Sequence, residues 1–598
     1  MRIFQPPKFK KCTHQRNLFR VQYNIADQQY RLSVNYSLIP ELYANSTDVS
    51  CFYSEIFREK NDSYVSIRSP IYFVHEWIVP RHIMGVIVEC HLHKNISNVI
   101  QRDAFSFVQY PEYRNEENDA KRAQSQPSVI LIGIDSMSRV NFQRTMPLTA
   151  KFVRQTGWYE MLGYNKVGDN TLPNLLALLT GSSLRQVADF CNIKKTGCLD
   201  ALTYLWNHYK NAGYLTAYAE DISAISTFNY LLPGFVRQPV DYYLRPFLQA
   251  TEQTMKTVKH FGYSYCVGRK PSFRYVFDFC QQMIQRFITE TPKPLFGLFW
   301  TNSFSHDDFS GPASVDKHFV KYLNDFKQLG LFEKAIVILF SDHGQRQGQL
   351  MEFPTSFLEE RLPMLYIHLP AWFHQKYPKA SKALEKNQRR LCSTFDLHLT
   401  LKDVLLTSNP RLTFPSASPC MGTSSLFYEL PKERRCGEAC IAEHWCTCES
   451  YVQVSVEGLE HLGSIIVYRI NQVLSKSNVK GLCHRLKLGK VLRIEHKQHF
   501  DESGNKIQSS TDTFRLKFTT LPNGGLFRAT IECDQSETVV DIQEDFITRL
   551  NSYGNESYCV SENALKRFCV CLNSQVKYDD VMYVADDLDS MSNTLDTL

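Results

Sequence analysis

Short apolar runs alternate with longer amphipathic or polar stretches from residue 127 to about residue 430. The runs at 128–134, 214–219, 295–301 and 335–341 are rich in Ile, Val, Leu and Phe, and each of them ends in polar residues. Continuous apolar strands separated by helical stretches are typical of a parallel sheet with helices on both faces. The pattern therefore predicts an α/β domain whose ligand-binding residues directly follow the carboxyl ends of its strands.

The segments on either side of this region have a different pattern. Residues 1–126 carry short β-like runs such as "YVSI" and "IMGVIVECHLH", and the polar stretch "RNEENDAKRAQSQPS" separates them from the first α/β strand. After residue 430, the run "CGEACIAEHWCTC" is followed by alternating segments such as "TFRLKFTTL" and "FRATIEC" and by an acidic tail. We predict three regions: a β-rich region at 1–126, the α/β domain at 127–430, and a Cys-rich, β-containing region at 431–598.

The cysteines and glycosylation sequons indicate an oxidising compartment. The chain has 18 cysteines, an even number, several of them in close pairs. Five Asn-x-Ser/Thr sequons begin at Asn35, Asn45, Asn61, Asn95 and Asn555. The net charge of +6 is spread over 67 Lys and Arg and 61 Asp and Glu, so it does not favour nucleic acid as a partner. We expect an extracellular or cell-surface glycoprotein with disulfide bonds, and the pattern makes no prediction of oligomeric state.

The first residues, "MRIFQPPKFKKC", lack the apolar run of roughly 7–15 residues that a signal peptide needs. The longest apolar runs, "VILIGI" and "AIVILF", are far shorter than the roughly 20 residues of a transmembrane helix. We therefore expect no membrane span in this chain. We also expect a signal or anchor segment upstream of it, the alternative being that the protein is not exported.

Three short motifs carry candidate chemistry. Asp135 follows the run 128–134, Asp342 and His343 follow the run 335–341 in "SDHG", and Thr171 precedes an apolar helical stretch in "GDNTLPNLLALLTGSS". A carboxylate and an imidazole suit zinc, and a helix N-terminus stabilises anions. Each motif also has an ordinary interpretation, which is a helix cap for Asp135 and Thr171 and a strand-to-loop turn with a surface histidine for "SDHG".

Taken together and in this order, the motifs resemble the alkaline-phosphatase superfamily, in particular its sulfatase-like branch. They most closely resemble the animal ectodomain family called domain of unknown function 229. The resemblance implies an alkaline-phosphatase-like α/β fold in which Asp135, Thr171, Asp342 and His343 surround one metal ion. It also implies that Thr171, bound to the metal through its oxygen, is the nucleophile. Zn²⁺ is the expected ion, with Mn²⁺ or Ca²⁺ as alternatives.

The same resemblance suggests further residues around the metal. In "FWTNSFSHDDFSG", His306 falls where related enzymes place a histidine that contacts a second metal or the substrate. Asn302 stands where some relatives have aspartate, and an amide is a weaker ligand than a carboxylate, so the second metal stays an open question. His398 in "CSTFDLHLTLKDVL" is a candidate additional ligand, and the alternative is that it packs or caps within a helix.

Sulfatases use a formylglycine made from Cys or Ser in a C/S-x-P-S-R motif, whereas this chain has Thr171 in "TLPNL". The resemblance therefore implies phosphoryl chemistry, by a metal-dependent phosphoryl-ester hydrolase or a phospho-head-group transferase. The expected substrate is a phosphate-ester small molecule, a lipid head group or a glycan. The alternatives are a catalytically weak or inactive ectodomain with a binding or structural role, and a sulfuric ester hydrolase. For the cluster Cys436–Cys448 we predict disulfides, because its spacing is not that of a paired-CxxC zinc site.

Overall fold

The structure is a computed structural model, and its described residues divide into two compact units, Met1–Glu449 and Ser450–Leu598. The described residues are 4–42, 49–92, 99–110, 126–291, 293–408, 412, 420, 422–477, 479, 481–500, 506–507, 509–534, 539–560 and 563–572. The sequons at Asn45 and Asn95 and the acidic tail lie outside these residues. The first unit contains the predicted β-rich region together with the predicted α/β region.

The N-terminal part of the first unit is built from antiparallel strands. β4, β3, β7 and β8 form one sheet with β5 paired to β3, while β1, β2 and β6 form another. Cys51 and Cys90 lie directly opposite each other on β3 and β7 and form a disulfide. The strand bounds are β1 Phe19–Asn24, β2 Gln29–Val34, β3 Val49–Arg58, β4 Val65–Ile67, β5 Ile71–Tyr72, β6 Trp77–Ile78, β7 Gly85–Leu92 and β8 Val99–Ser106.

The following part of the first unit contains twelve strands among the described residues. They are β9 Ser128–Ile134, β10 Tyr159–Glu160, β11 Gly163–Asn165, β12 Leu215–Glu220, β13 Tyr242–Tyr243, β14 Thr257–His260, β15 Tyr263–Val267, β16 Lys270–Pro271, β17 Leu295–Thr301, β18 Ala335–Phe340, β19 Leu365–His368 and β20 Leu391–Ser393. The runs at 128–134, 214–219, 295–301 and 335–341 thus form β9, β12, β17 and β18, with small differences at their ends.

Seven of these strands form the central sheet in the order β10-β19-β18-β9-β17-β12-β13. Every neighbouring pair from β18 to β13 is parallel, and β19 is antiparallel to both β18 and β10. All residues of β9, β17 and β18 are buried, which explains why these strands are uninterrupted apolar runs. The predicted α/β class with a mostly parallel sheet is confirmed.

Alternate residues of the central strands pack into two separate cores. Ile130 and Ile132 of β9 belong to one core, and Val129 and Leu131 belong to the other. Successive side chains of a strand point to opposite faces of the sheet, so the two cores are the two helix layers that cover it. The main helices of this unit are Arg139–Thr145, Pro147–Gln155, Thr171–Thr180, Leu184–Phe190, Leu205–Asn211, Arg245–Thr254, Ser272–Ile284, Asp316–Gln328, Ser356–Arg361, Ala371–Lys376, Pro378–Asn387 and Thr394–Ser408, with single turns at Ile39–Leu42, Cys198–Ala201 and Leu331–Lys334.

The second unit has a β-sheet and one long helix, Glu460–Lys476. Its apolar face, including Ile466 and Ile470, shares a core with β-strand residues such as Phe518 and Phe527. The sequence analysis predicted β structure here but no such helix. The other elements are β21 Tyr451–Val454, β22 Lys487–Lys497, β23 His499–Phe500, β24 Lys506–Ile507, β25 Thr511–Leu521, β26 Gly525–Asp534, β27 Val539–Asp541, β28 Ile547–Arg549 and a short helix Asn563–Lys566.

Seven disulfides crosslink the described residues, which agrees with the expected disulfide-bonded protein. Five lie in the first unit, and two lie in the second. In the cluster from Cys436 to Cys448, Cys436 pairs with Cys446, Cys440 pairs with Cys420, and Cys448 is an exposed free thiol. Among the helices of the described residues, none has both the length and the apolar character needed to cross a membrane.

Candidate metal centre

Asp135 is held at the carboxyl end of β9 by the neighbouring strand. Its backbone N–H donates to the carbonyl of Thr301 on β17 over 2.9 Å. The next residue, Ser136, has a positive φ of 58°, and its hydroxyl donates to Oδ1 of Asp135 over 3.1 Å. The tight turn at Ser136 therefore ends the strand and fixes the orientation of the buried Asp135 carboxylate.

Asp342 and His343 occupy the equivalent place at the end of β18, which is parallel to β9 and pairs with it. Asp342 Oδ1 accepts hydrogen bonds from the backbone N–H groups of His343 and Ser136, over 2.9 and 3.2 Å. His343 Nδ1 lies 2.8 Å from the carbonyl oxygen of Gly344, and since that oxygen only accepts, Nδ1 carries the proton. His343 Nε2 therefore has a free lone pair, as a metal-binding imidazole requires.

The ligand atoms of Asp135, Asp342 and His343 all lie within 4.8 Å of one another, and all three side chains are buried. His343 Nε2 is 3.1 Å from Asp342 Oδ2 and 3.9 Å from Asp135 Oδ1. Asp342 Oδ2 and His343 Nε2 have no hydrogen-bond partner in the protein. Buried polar atoms without partners are costly, and a cation shared by these atoms would satisfy them. Two carboxylates and one imidazole are a donor set that fits zinc.

Burial and mutual repulsion raise the free energy of this centre without a cation. Burial raises the pKa of Asp135 to about 8, and the negative charge of Asp342 raises it further. Burial also lowers the pKa of His343 to about 4. The imidazole is therefore neutral near pH 7 and does not itself neutralise the two carboxylates, which a divalent cation would do.

Thr171 is the first residue of helix Thr171–Thr180, directly before Leu172 and Pro173. The loop before it is organised by the buried Asn174 side chain. Its amide oxygen accepts from the N–H groups of Val167 and Gly168, and its amide nitrogen donates to the carbonyl of Asn170 over 2.8 Å. The sequence analysis did not identify Asn174, although it lies within the quoted motif. The helix ends at Gly181, which has a left-handed φ of 72°.

Two contacts connect the Thr171 loop to the rest of the centre, and both involve residues that the sequence analysis missed. Arg346, three residues after His343, lies 3.2 Å from Asp169, which is two residues before Thr171. Lys166 donates from Nζ to the Asp169 carbonyl over 3.2 Å. Arg346 stands in the quoted "SDHGQRQG" and Lys166 just before "GDNT", so a positive charge beside each motif was the available signal.

Lys166 belongs to a fully buried group of charges. Its Nζ is 2.9 Å from Glu360, whose other oxygen is 2.7 Å from the guanidinium of Arg361, and all three side chains are 0% exposed. Arg361 also donates to the carbonyl of His444, and Lys166 Nζ lies 4.1 Å from the ring centroid of Trp445. The disulfide-bonded segment that contains Cys446 is thus packed directly behind the Thr171 loop.

His306 lies after β17, partly exposed, with Nδ1 2.7 Å from Asp307. Burial lowers its pKa, but the charges of Asp135 and Asp307 outweigh this, and the net pKa is raised. Its carboxylate neighbours thus favour a protonated imidazole close to the centre. Among the described residues, His306 is not part of the three-residue group whose ligand atoms lie within 4.8 Å.

Asn302 is engaged in the protein structure. Its amide oxygen accepts from the indole N–H of Trp300 over 2.8 Å, and its backbone N–H donates to Asp221 over 2.7 Å. Gly133 on β9 provides the space for this indole, because a Cβ there would lie 1.9 Å from the Trp300 ring. The oxygen that a second metal would need is therefore already used.

The structure does not bring His398 together with the three buried ligands. His398 Nδ1 lies 2.8 Å from the carbonyl oxygen of Leu178, near the carboxyl end of the helix that begins at Thr171. Seven residues separate Leu178 from Thr171, which is about 10 Å along a helix axis. Burial lowers the pKa of His398 to about 3, so it packs as a neutral side chain. This arrangement matches the alternative in which His398 packs within a helix.

The fold and the buried Asp135, Asp342 and His343 define an α/β protein with a candidate metal centre at the carboxyl edge of its sheet. The model of the family described as "Protein of unknown function (DUF229)" matches residues 5–492. The chain therefore belongs to this family, which is the one that its motifs resemble. No curated protein matches the chain significantly.

Three solved structures illustrate what the fold is similar to. A protein of the alkaline phosphatase superfamily from Vibrio parahaemolyticus is 12% identical, with 74% of this chain and 86% of that chain covered and a TM-score of 0.34. The lipoteichoic acid synthase LtaP from Listeria monocytogenes is 9% identical, covering 76% and 92%, with a TM-score of 0.34. The C-terminal periplasmic domain of EptC from Escherichia coli is 16% identical, covering 52% and 89%, with a TM-score of 0.31. At these values, similarity alone transfers no activity to this chain.

Proposed function

We propose that this protein is an extracellular, metal-dependent phosphoryl-ester hydrolase or phospho-head-group transferase with Thr171 as its nucleophile. The observation that supports this most strongly is the buried group of Asp135, Asp342 and His343. Asp342 Oδ2 and His343 Nε2 lack partners in it. A site of this kind is unfavourable unless a cation occupies it, so its presence is best explained by metal binding.

In this proposal Asp135, Asp342, His343 and the hydroxyl of Thr171 hold one divalent ion, with Zn²⁺ fitting the donor set and Mn²⁺ or Ca²⁺ as alternatives. The ion would lower the pKa of the Thr171 hydroxyl and neutralise negative charge on the phosphoryl oxygens. We do not propose a second metal ion, because the Asn302 oxygen accepts from Trp300.

The residues of the chain then carry out a two-step transfer. The Thr171 hydroxyl loses its proton, and its oxygen attacks phosphorus in line as the bond to the leaving oxygen breaks. The backbone N–H groups at the start of helix Thr171–Thr180 are suited to binding phosphoryl oxygens. His306, whose pKa is raised by Asp135 and Asp307 against the effect of burial, would give its proton to the leaving oxygen. Water or an acceptor alcohol then releases the phosphoryl group from Thr171.

The threonine favours phosphoryl over sulfuryl transfer. Formylglycine is made from cysteine or serine, and the chain has Thr171 at that position. Sulfuric ester hydrolysis and a purely binding role stay as alternatives, and they predict different activity profiles. The seven disulfides support the extracellular part of the proposal, since disulfides persist in oxidising compartments.

The test is hydrolysis of three aryl esters by the zinc-loaded protein: bis(4-nitrophenyl) phosphate, 4-nitrophenyl phosphate and 4-nitrophenyl sulfate. Thr171→Val keeps the shape of the side chain and removes only the hydroxyl. Thr180→Val is the matched control, because Thr180 lies at the other end of the same helix, where its hydroxyl bonds to the Leu176 carbonyl.

We expect phosphate-ester hydrolysis by the wild type and by Thr180→Val, and a loss of at least about 1,000-fold in kcat for Thr171→Val, as for other nucleophile deletions. Full activity of Thr171→Val would refute the nucleophile assignment. Turnover of the sulfate ester alone would favour the sulfuric ester hydrolase. No turnover of any ester by folded, zinc-loaded protein would favour the binding role.

A further inference from the structure

Arg346 bridges the two loops that form the proposed centre. It follows His343 by three residues, and its guanidinium lies 3.2 Å from Asp169, two residues before Thr171. Its side chain is 16% exposed, so it is packed into the structure but still reaches solvent. The guanidinium therefore lies between the metal-binding loop and the start of the nucleophile helix, where a substrate must enter.

The charge of Arg346 acts on groups from three different strand ends. It is an electrostatic neighbour of Asp135 after β9, of His306 after β17 and of His343 after β18. Lys166 also acts on His343, but Lys166 is 0% exposed and paired with Glu360. Of these two cations, Arg346 is the one that a ligand can reach.

The balance of charge at the centre indicates what kind of anion fits it. A divalent ion is neutralised by the carboxylates of Asp135 and Asp342, while His343 is neutral. Arg346 then supplies one accessible positive charge beside the centre. Its planar guanidinium, with several parallel N–H groups, matches the geometry of two phosphate oxygens. A singly charged phosphate ester is therefore better balanced here than a doubly charged one.

We propose that Arg346 binds the non-bridging oxygen of a phosphodiester monoanion, and so selects diesters over monoesters at this centre. This inference rests on the proposed phosphoryl-transfer function. Asp169 holds the guanidinium in place before the substrate enters, and its carboxylate competes with the substrate for the same N–H groups.

The test is calorimetric binding of diphenylphosphinate, a monoanion whose P–C bonds cannot be hydrolysed, to zinc-loaded protein. We expect Arg346→Ala to raise the Kd by about 10- to 100-fold, the loss of one charge-assisted hydrogen bond, while its zinc content stays that of the wild type. Arg31→Ala is the matched control, because Arg31 forms a similar ion pair with Asp27 at the surface of β2. It should bind the probe like the wild type. Phenylphosphonate, which carries a second charge at alkaline pH, should bind more weakly than diphenylphosphinate.

Asp169→Asn separates anion binding from a purely bracing role for Arg346. If Arg346 binds the anion, removing its competing carboxylate leaves the affinity for diphenylphosphinate unchanged or higher. If Arg346 only braces the Thr171 loop through Asp169, Asp169→Asn weakens binding as much as Arg346→Ala does, and the proposal is overturned. Equal affinities of Arg346→Ala and wild type, no binding by either protein, or tighter binding of phenylphosphonate would also overturn it. If Thr171-dependent phosphate-ester hydrolysis persists in any of these cases, the proposed function stands without the role of Arg346.

Discussion

Glu360→Gln should destabilise the first unit far more than the loss of an equivalent surface charge. Glu360 bridges two cations, Lys166 at 2.9 Å and Arg361 at 2.7 Å, and no part of the three side chains is exposed. A glutamine keeps the shape but leaves two buried positive charges without a counter-charge. Removing one partner of a buried ion pair costs about 3–5 kcal/mol.

The corresponding shift in melting temperature follows from the size of the unit. At about 2.1 cal/mol/K per residue, the 449 residues of Met1–Glu449 give an unfolding entropy of about 0.9 kcal/mol/K. The loss of 3–5 kcal/mol then lowers the melting temperature by about 3–5 °C. Lys166→Met should have a smaller effect, because Glu360 and Arg361 still neutralise each other.

Differential scanning calorimetry of the purified protein measures this shift. Glu429→Gln is the matched control, because Glu429 also bridges two cations, Lys386 at 2.6 Å and Arg390 at 3.3 Å, but is 47% exposed. Solvent screens such a pair, so its loss should leave the melting temperature unchanged. Equal melting temperatures for Glu360→Gln and Glu429→Gln would refute the reasoning that burial sets the cost.

Three further substitutions test other parts of the structure. His398→Ala should keep the full metal content and lower the stability by about 1–3 kcal/mol, measured by urea unfolding, because it loses a buried hydrogen bond to Leu178. Loss of metal from folded His398→Ala would instead make it a ligand. Gly133→Ala places a Cβ 1.9 Å from the Trp300 ring and should cost about 1–3 kcal/mol in the same assay, and wild-type stability would contradict this packing. Asn302→Asp should still bind one metal ion per chain, because the acceptor oxygen stays with the Trp300 indole, and a second bound ion would show that a second site needs only a carboxylate.

The central strands could be predicted from sequence because burial on both faces leaves a local signature, an uninterrupted apolar run. Asp135 and Asp342 could be expected to meet for a related reason, since each follows such a run and neighbouring parallel strands end at the same edge of the sheet. The pairing of β9 with β18 places the two residues as that argument expects. Thr171 lies at a helix start, as the motif suggested.

Contacts between distant segments left no such local signature. Glu360 and Trp445 surround Lys166 although they lie about 200 and 280 residues further along the chain, and nothing in "LEERLP" or "EHWCTC" indicates this pairing. His398 stood in a motif that suggested a ligand, yet its position in the fold places it against the far end of the Thr171 helix. The disulfide partners were equally hidden, because Cys440 pairs with Cys420 rather than with a cysteine of its own cluster.

The metal content of the purified protein tests the central claim most directly. Elemental analysis after incubation with Zn²⁺ and removal of free metal should find one divalent ion per chain in the wild type and almost none in His343→Ala. Circular dichroism should show that both proteins are folded. The absence of bound metal from the folded wild type, or an equal metal content in His343→Ala, would contradict a metal centre formed by Asp135, Asp342 and His343.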